Sequence, residues 1–200
     1  MRNIKDESLK ISKNKKNNTR PKTKSFGYQI LGMGGGTVVP PFSFDYLVVA
    51  GGGGGGRSGL SGGGGGAGAG GYRASGYGPS PLRGSSIGPG KNCGTYPIVV
   101  GGGGAGGSPP SKTGTDGVNS SFAAPSPFGI TSEGGGGGGS KPGSYSPSAA
   151  DGGNGGPGIV IIRAPADKTL TVTPGTNTTS THPAGCKLAT FTVTGCLTIS

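Results

Sequence analysis

The stretch LVVAGGGGGG (residues 47–56) is a β-branched run opening into glycines, the way a dinucleotide-binding unit begins. In such a unit the glycines let the backbone approach a pyrophosphate. A helix must follow, with an acidic residue about 20 positions on to hold the ribose. Here residues 57–71, RSGLSGGGGGAGAGG, cannot make a stable helix, since each interior glycine costs about 1 kcal/mol relative to alanine. No Asp or Glu stands between Asp45 and Asp116. With 50 glycines, matches to GxGxxG are inevitable and carry no information. GPGKNC and GGGSKPG set a lysine among glycines but lack the Ser or Thr that a phosphate loop offers to its metal ion. No cofactor is expected.

Acid–base chemistry finds little to work with. Only seven carboxylates are present, two of them (Asp6 and Glu7) in the N-terminal arm. The single histidine, His182, stands beside Pro183 in a Thr-rich stretch and reads as an exposed loop residue. No serine is marked as a nucleophile on a strand-to-helix turn. One histidine and no CxxC pair argue against a zinc site. The expectation is a protein with no catalytic and no metal-binding residues. Cys93, Cys186 and Cys196 form no dense disulfide framework. KLATFTVTG, between the last two, reads as one strand, which would hold their Cα atoms about 30 Å apart. A disulfide tolerates at most ~7 Å, so free thiols or contacts between chains are expected.

Binding is a better use of what remains. Tyr72, Arg73, Tyr77, Arg83 and Tyr145 lie among Gly, Ser and Pro, the mixture of rigid aromatic anchors and adaptable polar neighbours that makes a binding surface. They are read as candidate receptor-facing loops, suited to stacking on sugar rings. The competing reading is that they only shield the glycine-rich body from water. The net charge of +11 is uneven, with nine of the 18 basic residues in the first 24 positions. That arm suits an acidic partner. Lys13, Lys15, Lys16, Arg20, Lys22 and Lys24, with Phe26 and Tyr28 just beyond, are read as a candidate anchor. No apolar run follows the charged start, so no signal peptide is read. No stretch is long enough to span a membrane, so no membrane insertion is expected.

These residues are positioned by an unusual chain. Gly and Pro together make about a third of it, only 29% is hydrophobic, and there is no Trp. Glycine loses most backbone freedom on folding and brings no side chain to bury. If the middle is ordered, backbone hydrogen bonds and close backbone contact must replace side-chain packing there. Four parts are distinguished: a basic arm (1–25), an anchoring or transition segment (26–43), a glycine-rich body (44–164) and a small Thr-rich β-module (165–200). FDYLVVA, YPIVV and GIVIIR read as strands, the first with Phe44, Tyr46 and Val48 on one face. LTVT, LATFTVT and CLTIS read as short strands, with turns at PGTN, HPAG and around Gly195. The module is expected to pack on the strands at 44–50 and 158–163. RASGYGPSPLRGSSIGPGKN reads as loop.

Glycine runs can adopt the extended helix of three residues per turn, rising ~3.1 Å per residue, which polyproline also uses. Packed side by side, such helices bond N–H to C=O between neighbours and add Cα–H···O contacts. Only Gly, or an occasional Ala, permits the approach. The fold class expected is therefore mainly β and irregular. Short strands frame a body of packed polyglycine-II helices with almost no α-helix, and the Ser/Pro/Tyr segments connect the helices at both ends of the slab.

The phrases DYLVVAGGGGGGRSG, GGGGGAGAGGYR, YPIVVGGGGAGG, DGVNSSF and GGNGGPGIVIIR, in that order, resemble the glycine-rich domain of tail-fibre and other virion proteins of tailed bacteriophages, many of them marine. The resemblance covers residues 44–164. It implies packed polyglycine helices with variable loops at a tip that contacts the host. It further implies a non-enzymatic virion protein, assembled in the host cytoplasm and anchored through its N-terminal segment. Its partners would be other tail or capsid proteins, further copies of itself, and a glycan or protein of the host surface. Fibre proteins are usually long, so the short basic arm suggests an accessory subunit. A capsid decoration or head-fibre protein is the alternative. A glycine-rich nucleic-acid-binding protein is a third reading, weakened by the absence of RGG repeats.

Overall fold

The computed structural model describes residues 42–59, 63–76, 83–90, 94–123, 129–140 and 149–200. Among these there is no helix. The strands are β1 (Phe42–Val49), β2 (Tyr72–Ser75), β3 (Arg83–Gly84), β4 (Ile87–Gly90), β5 (Gly94–Val99), β6 (Ser120–Phe122), β7 (Ile130–Ser132), β8 (Ile159–Ala164), β9 (Leu170–Thr173), β10 (Thr178–Thr181), β11 (Lys187–Phe191) and β12 (Gly195–Ile199). The larger sheet runs β10-β11-β8-β1-β2-β3, with β4 also on β1, and the smaller runs β7-β6-β5-β12-β9.

The expected mainly-β fold is present, with two packing regimes rather than one. The first is a sandwich with an apolar centre. Alternation in FSFDYLVV turns Phe42, Phe44, Tyr46 and Val48 inward. They meet Ile98, Phe122, Leu197 and Ile199 of the smaller sheet, while Val160, Ile162 and Phe191 complete the larger sheet's inner face. Phe44 lies edge-on to Tyr96 and Phe122 at centroid separations of 5.7 and 5.5 Å. Burying each such side chain is worth about 1.5–3 kcal/mol.

The second regime is the glycine body. Six segments run through it: g1 (50–58), g2 (63–71), g3 (101–107), g4 (112–119), g5 (133–139) and g6 (150–158). The backbone N–H groups of g1 follow a strict period of three. Ala50, Gly53 and Gly56 donate to Gly71, Gly68 and Gly65 of g2. Gly51, Gly54 and Arg57 donate to Val118, Thr115 and Lys112 of g4, and Gly52, Gly55 and Ser58 to Gly156, Gly153 and Ala150 of g6, all at 2.7–3.2 Å. Only a backbone of three residues per turn sends successive donors to three different neighbours. The carbonyls of Gly52 and Gly55 accept from g3, and those of Gly51 and Gly54 from g5. Further bonds join g2 to g5, g5 to g4, g4 to g3 and g3 to g6, so the five surround g1 in that order.

Side chains complete the rim. Asn119 and Asp116 accept the N–H of Gly134 and Gly137, Thr115 that of Ala105, Ser120 that of Gly101, and Asn154 that of Gly106. The polar residues of TDGVNS and GGNGG thus stand in for lattice neighbours that those donors lack.

The interior forbids a Cβ. One at Gly51, Gly53, Gly54 or Gly56 would lie 2.0–2.1 Å from a carbonyl oxygen of a neighbouring segment. Two substituted positions follow the same period: Ala105 is in step with Gly102, and Ala69 with Gly63 and Gly66, where a Cβ would meet nothing within 4 Å; Ala67, in step with Gly64 and Gly70, departs from it.

Each segment continues a strand without slippage. Val49 pairs with Ile159 in the β1–β8 ladder, and Gly52, Gly55 and Ser58 then bond Gly156, Gly153 and Ala150. Ile98 pairs with Phe122, and Gly102 and Ala105 then face Val118 and Thr115. The connecting segments were expected at both ends of the slab, but at one end g1–g6 run directly into β1, β2, β5, β6, β7 and β8. Accordingly RASGYGPSPLRGSSIGPGKN is not simply loop, since its described parts carry most of β2 and all of β3 and β4. Pairing with β1 and with β2 overrides its turn-rich composition.

The C-terminal residues join both sheets. β11 pairs with β8 of the larger sheet, and β12 with β5 of the smaller. KLATFTVTG was expected to be one strand, but it ends at Phe191. Residues 192–194 bend across from one sheet to the other, where the side-chain carbonyl oxygen of buried Asn177 accepts the N–H of Thr192 and Val193. TTST (178–181), which was not read as a strand, is β10 on the edge. Cys186 and Cys196 are free thiols; Cys93 lies outside the described residues.

A methyl group therefore has opposite consequences at neighbouring glycines of one run. Gly54→Ala puts a Cβ 2.0 Å from the Ala105 oxygen, whereas at Gly52 the nearest atom is 3.7 Å away. Gly54→Ala is expected to cost about 3 kcal/mol, as overpacking does, and Gly52→Ala to leave stability unchanged. Urea unfolding of both variants, followed by circular dichroism, measures the difference; equal midpoints would rule out the lattice.

Candidate functional site

Two places gather polar side chains, one on the outer face of the larger sheet and one at the turns of the glycine lattice. On the sheet, Asp45 of β1 stands directly opposite Arg163 of β8. Cross-strand partners of opposite charge meet on one face, because side chains alternate along each strand. The Arg163 guanidinium donates through Nε (3.0 Å) and Nη2 to Asp45 Oδ2. The hydroxyls of Ser75 and Ser86 donate to Oδ1 at 2.8 and 2.6 Å. Ser75 Oγ in turn accepts the N–H of Tyr46 at 3.0 Å. One carboxylate thus ties together β1, β2, β8 and the residue before β4.

Burial by itself pushes the Asp45 carboxyl upward. The hydrogen bonds from Ser86, Arg163 and Ser75, with the guanidinium charge, outweigh it and hold the group below the ordinary value. Both oxygens are occupied by donors and the group stays ionised, so Asp45 is built to hold strands rather than to take up a proton. Beside it opens a shallow pocket bounded by Leu47, Ile161, Leu188 and His182. His182 is exposed, as expected, and its Nδ1 accepts the N–H of Ala184 at 3.2 Å within the HPAG turn. The sequence reading missed this cluster. Its only trace was an Asp and an Arg at outward positions of two strands, and that is meaningless until the register puts them opposite each other.

The other gathering lies where g1 turns into g2 and g6 begins. Arg57, 4% exposed, closes the end of g1. Its Nη2 donates to the Ala149 carbonyl at 3.1 Å and its Nε lies 3.0 Å from Asp151 Oδ1. Asp151 is 58% exposed, so the ion pair is worth less than about 1 kcal/mol. Filling the end of the rod and bonding the carbonyl matter more.

The candidate binding residues divide between levels. Tyr72 and Arg73 lie on β2 and Arg83 on β3, all exposed, and Ala74 pairs with Arg83. They sit on strands rather than loops, because g2 ends at Gly71 and the chain there pairs with Leu47, Val48 and Val49. Burial raises the pKa of the Tyr46 hydroxyl above the ordinary phenol value, with the charge of Arg73 opposing it. Tyr77 and Tyr145 lie outside the described residues, as do Lys13, Lys15, Lys16, Arg20, Lys22, Lys24, Phe26 and Tyr28 of the candidate anchor. Among the described residues no group of three His, Cys, Asp or Glu could hold a metal ion, and no helix is long and apolar enough to cross a membrane.

The Asp45 cluster has a pH signature. Its folded pKa lies below the ordinary 3.8, so between the two values the unfolded chain binds more protons and stability rises with pH. The contribution is complete above the ordinary aspartate range and is lost as pH falls through the folded pKa. Asp45→Asn is expected to flatten the acid limb of the urea midpoint plotted against pH. A limb of unchanged slope would exclude this cluster as a source of acid sensitivity.

A family model for a glycine-rich domain matches residues 34–135. Neither the curated proteins nor the solved structures include a match to the chain.

Proposed function

The chain belongs to the glycine-rich domain family, and from that premise we propose that it is a non-enzymatic structural protein on the surface of a bacteriophage particle, a tail-fibre or adhesin-type accessory subunit serving host recognition. The observation that carries this reading is the common polarity of the six glycine segments. All continue strands at one end, and at the other g3 passes to g4 through residues 108–111, near Arg57 and Ala149, while g2 leads to g3 and g4 to g5 through the sandwich. Eight residues at ~3.1 Å each carry that turn about 25 Å beyond the last core strand residue. A rod bundle bonded through backbone leaves most of its turn sequence free to vary, with buried Arg57 as a side chain that closes the end of g1. That is what a presenting device requires.

The strand residues Tyr72, Arg73 and Arg83 would then form a lateral surface, and the turn at residues 108–111 part of the forward one. Residues 1–41 would join the subunit to another virion protein. The concentration of positive charge in the first 24 residues favours a second reading, in which the arm lies on an acidic capsid and the body decorates the head.

The proposal predicts that purified protein, added in excess to host cells, blocks adsorption of the phage that carries it. Replacing the turn at residues 108–111 with Gly-Ser linker should abolish the block without lowering the melting temperature. Full adsorption in the presence of saturating protein would defeat the recognition role. Quantitative mass spectrometry of particles separates the two locations: about six to eighteen copies fit a tail, hundreds a head.

A further inference from the structure

The ring around g1 lacks one member. Its N–H groups point at g2, g4 and g6, about 120° apart in a three-fold rod. Two of its three carbonyl rows point at g5 and g3. The third row, containing Gly53 and Gly56, points between g6 and g2, and among the described residues no N–H donates to either oxygen. The gap is floored by Gly52 and Gly55, half-buried where Gly51, Gly53, Gly54 and Gly56 are buried. A Cβ at Gly52 or Gly55 would point into it, with the backbone of Gly156 and Gly68, or of Gly153, as walls at 3.5–3.9 Å.

The two faces of the lattice are finished differently. On the far side g4 carries side chains at two of every three positions: Lys112, Thr113, Thr115, Asp116, Val118 and Asn119. On the near side the outward rows of the walls carry only Gly63, Gly66 and Ala69 in g2 and Ala150, Gly153 and Gly156 in g6, and a Cβ at any of those glycines would meet nothing within 4 Å. One face is closed by larger side chains and the other carries only glycine and alanine in those rows.

We propose that this groove is a binding site for a glycine-repeat segment of another polypeptide, bound as a sixth polyglycine-II rod around g1. The chemistry selects the occupant. The carbonyls of Gly53 and Gly56, about 9 Å apart at three residues per turn, require N–H donors spaced one turn apart. At the glycines of the occupied sites an inward Cβ would fall 1.9–2.3 Å from a carbonyl, so glycine is favoured where the segment faces g1; g2 has it at Gly64 and Gly70, with Ala67 between them. The interaction corresponds to strand addition at a sheet edge, with backbone bonds supplying affinity.

The test uses the full chain, labelled with ¹⁵N, titrated with a lysine-flanked octaglycine peptide. Amide shifts are expected at Gly52, Gly55, Gly65, Gly68, Gly153 and Gly156. The same peptide built from N-methylglycine, which has no N–H, should not bind. The pair Gly52→Ala/Gly55→Ala should weaken binding about tenfold or more, equivalent to about 1.4 kcal/mol, with an unchanged melting temperature. No shifts at millimolar peptide, equal binding of the N-methylated peptide, or equal binding by the alanine pair would each overturn the site. Should the pair melt early, Gly66→Ala, outside the groove floor, serves as the control for a general lattice defect. Sedimentation is run in parallel. A dimer that excludes the peptide and dissolves in the alanine pair would place a second copy in the groove and overturn the separate partner.

Discussion

The structure depends on one steric fact: two backbones can exchange N–H···O=C bonds at close approach on every side only if neither carries a Cβ. A β-strand bonds in one plane, leaving two faces for side chains. A three-residue rod bonds in all directions around its axis, leaving none for the rod in the middle. The central segment g1 is therefore glycine from 51 to 56, and the segments around it, Ala67 of g2 excepted, carry side chains at positions where the period of three faces away. The lattice exchanges the hydrophobic effect for backbone bonds worth about 0.5–1.5 kcal/mol each, against the large entropy lost by ordering glycine.

Such rods have no internal hydrogen bonds, and nothing within a run of six glycines sets which residue bonds which. The sandwich supplies that register. Its ladders are specified by apolar alternation, because a slip of one residue would turn Phe44, Tyr46 and Val48 to the outside. The same pairings then pass into the lattice, β1–β8 becoming g1–g6 and β5–β6 becoming g3–g4. The oily core is small, yet it selects one alignment out of many degenerate ones. The Asp45–Arg163 pair, with Ser75 and Ser86, pins the strands that flank the central rod.

Much of this was legible. Alternation marked β1, β9, β11 and β12, apolar β-branched runs marked β5 and β8, and the exclusion of helix from 57–71 followed from composition. The polar phrase TDGVNS was visible as a motif, but its use as substitute acceptors for lattice edges was not, because a side-chain acceptor is recognisable only once the unpaired donor has been placed beside it. β2, β3 and β4 were hidden because their residues, YRAS, RG and IGPG, have no strand signal of their own and are held by pairing to β1 or to one another. The break after Phe191 was hidden for the same reason. Thr192 and Val193 are good strand residues, and the side chain that bends them away belongs to Asn177, on the far side of β10 and β11 in the chain.

By itself the sequence determined that the glycine runs could order only through backbone contact, since they carry no side chain to bury, and that the strand FDYLVVA would turn Phe44, Tyr46 and Val48 to one face. Tertiary structure alone decided how many of the described rods surround g1, in what order, and that none of them takes the place between g6 and g2. Glycine runs are interchangeable as strings. They differ only through the strands to which they are joined, and the pairing of those strands is a long-range property that no local pattern encodes.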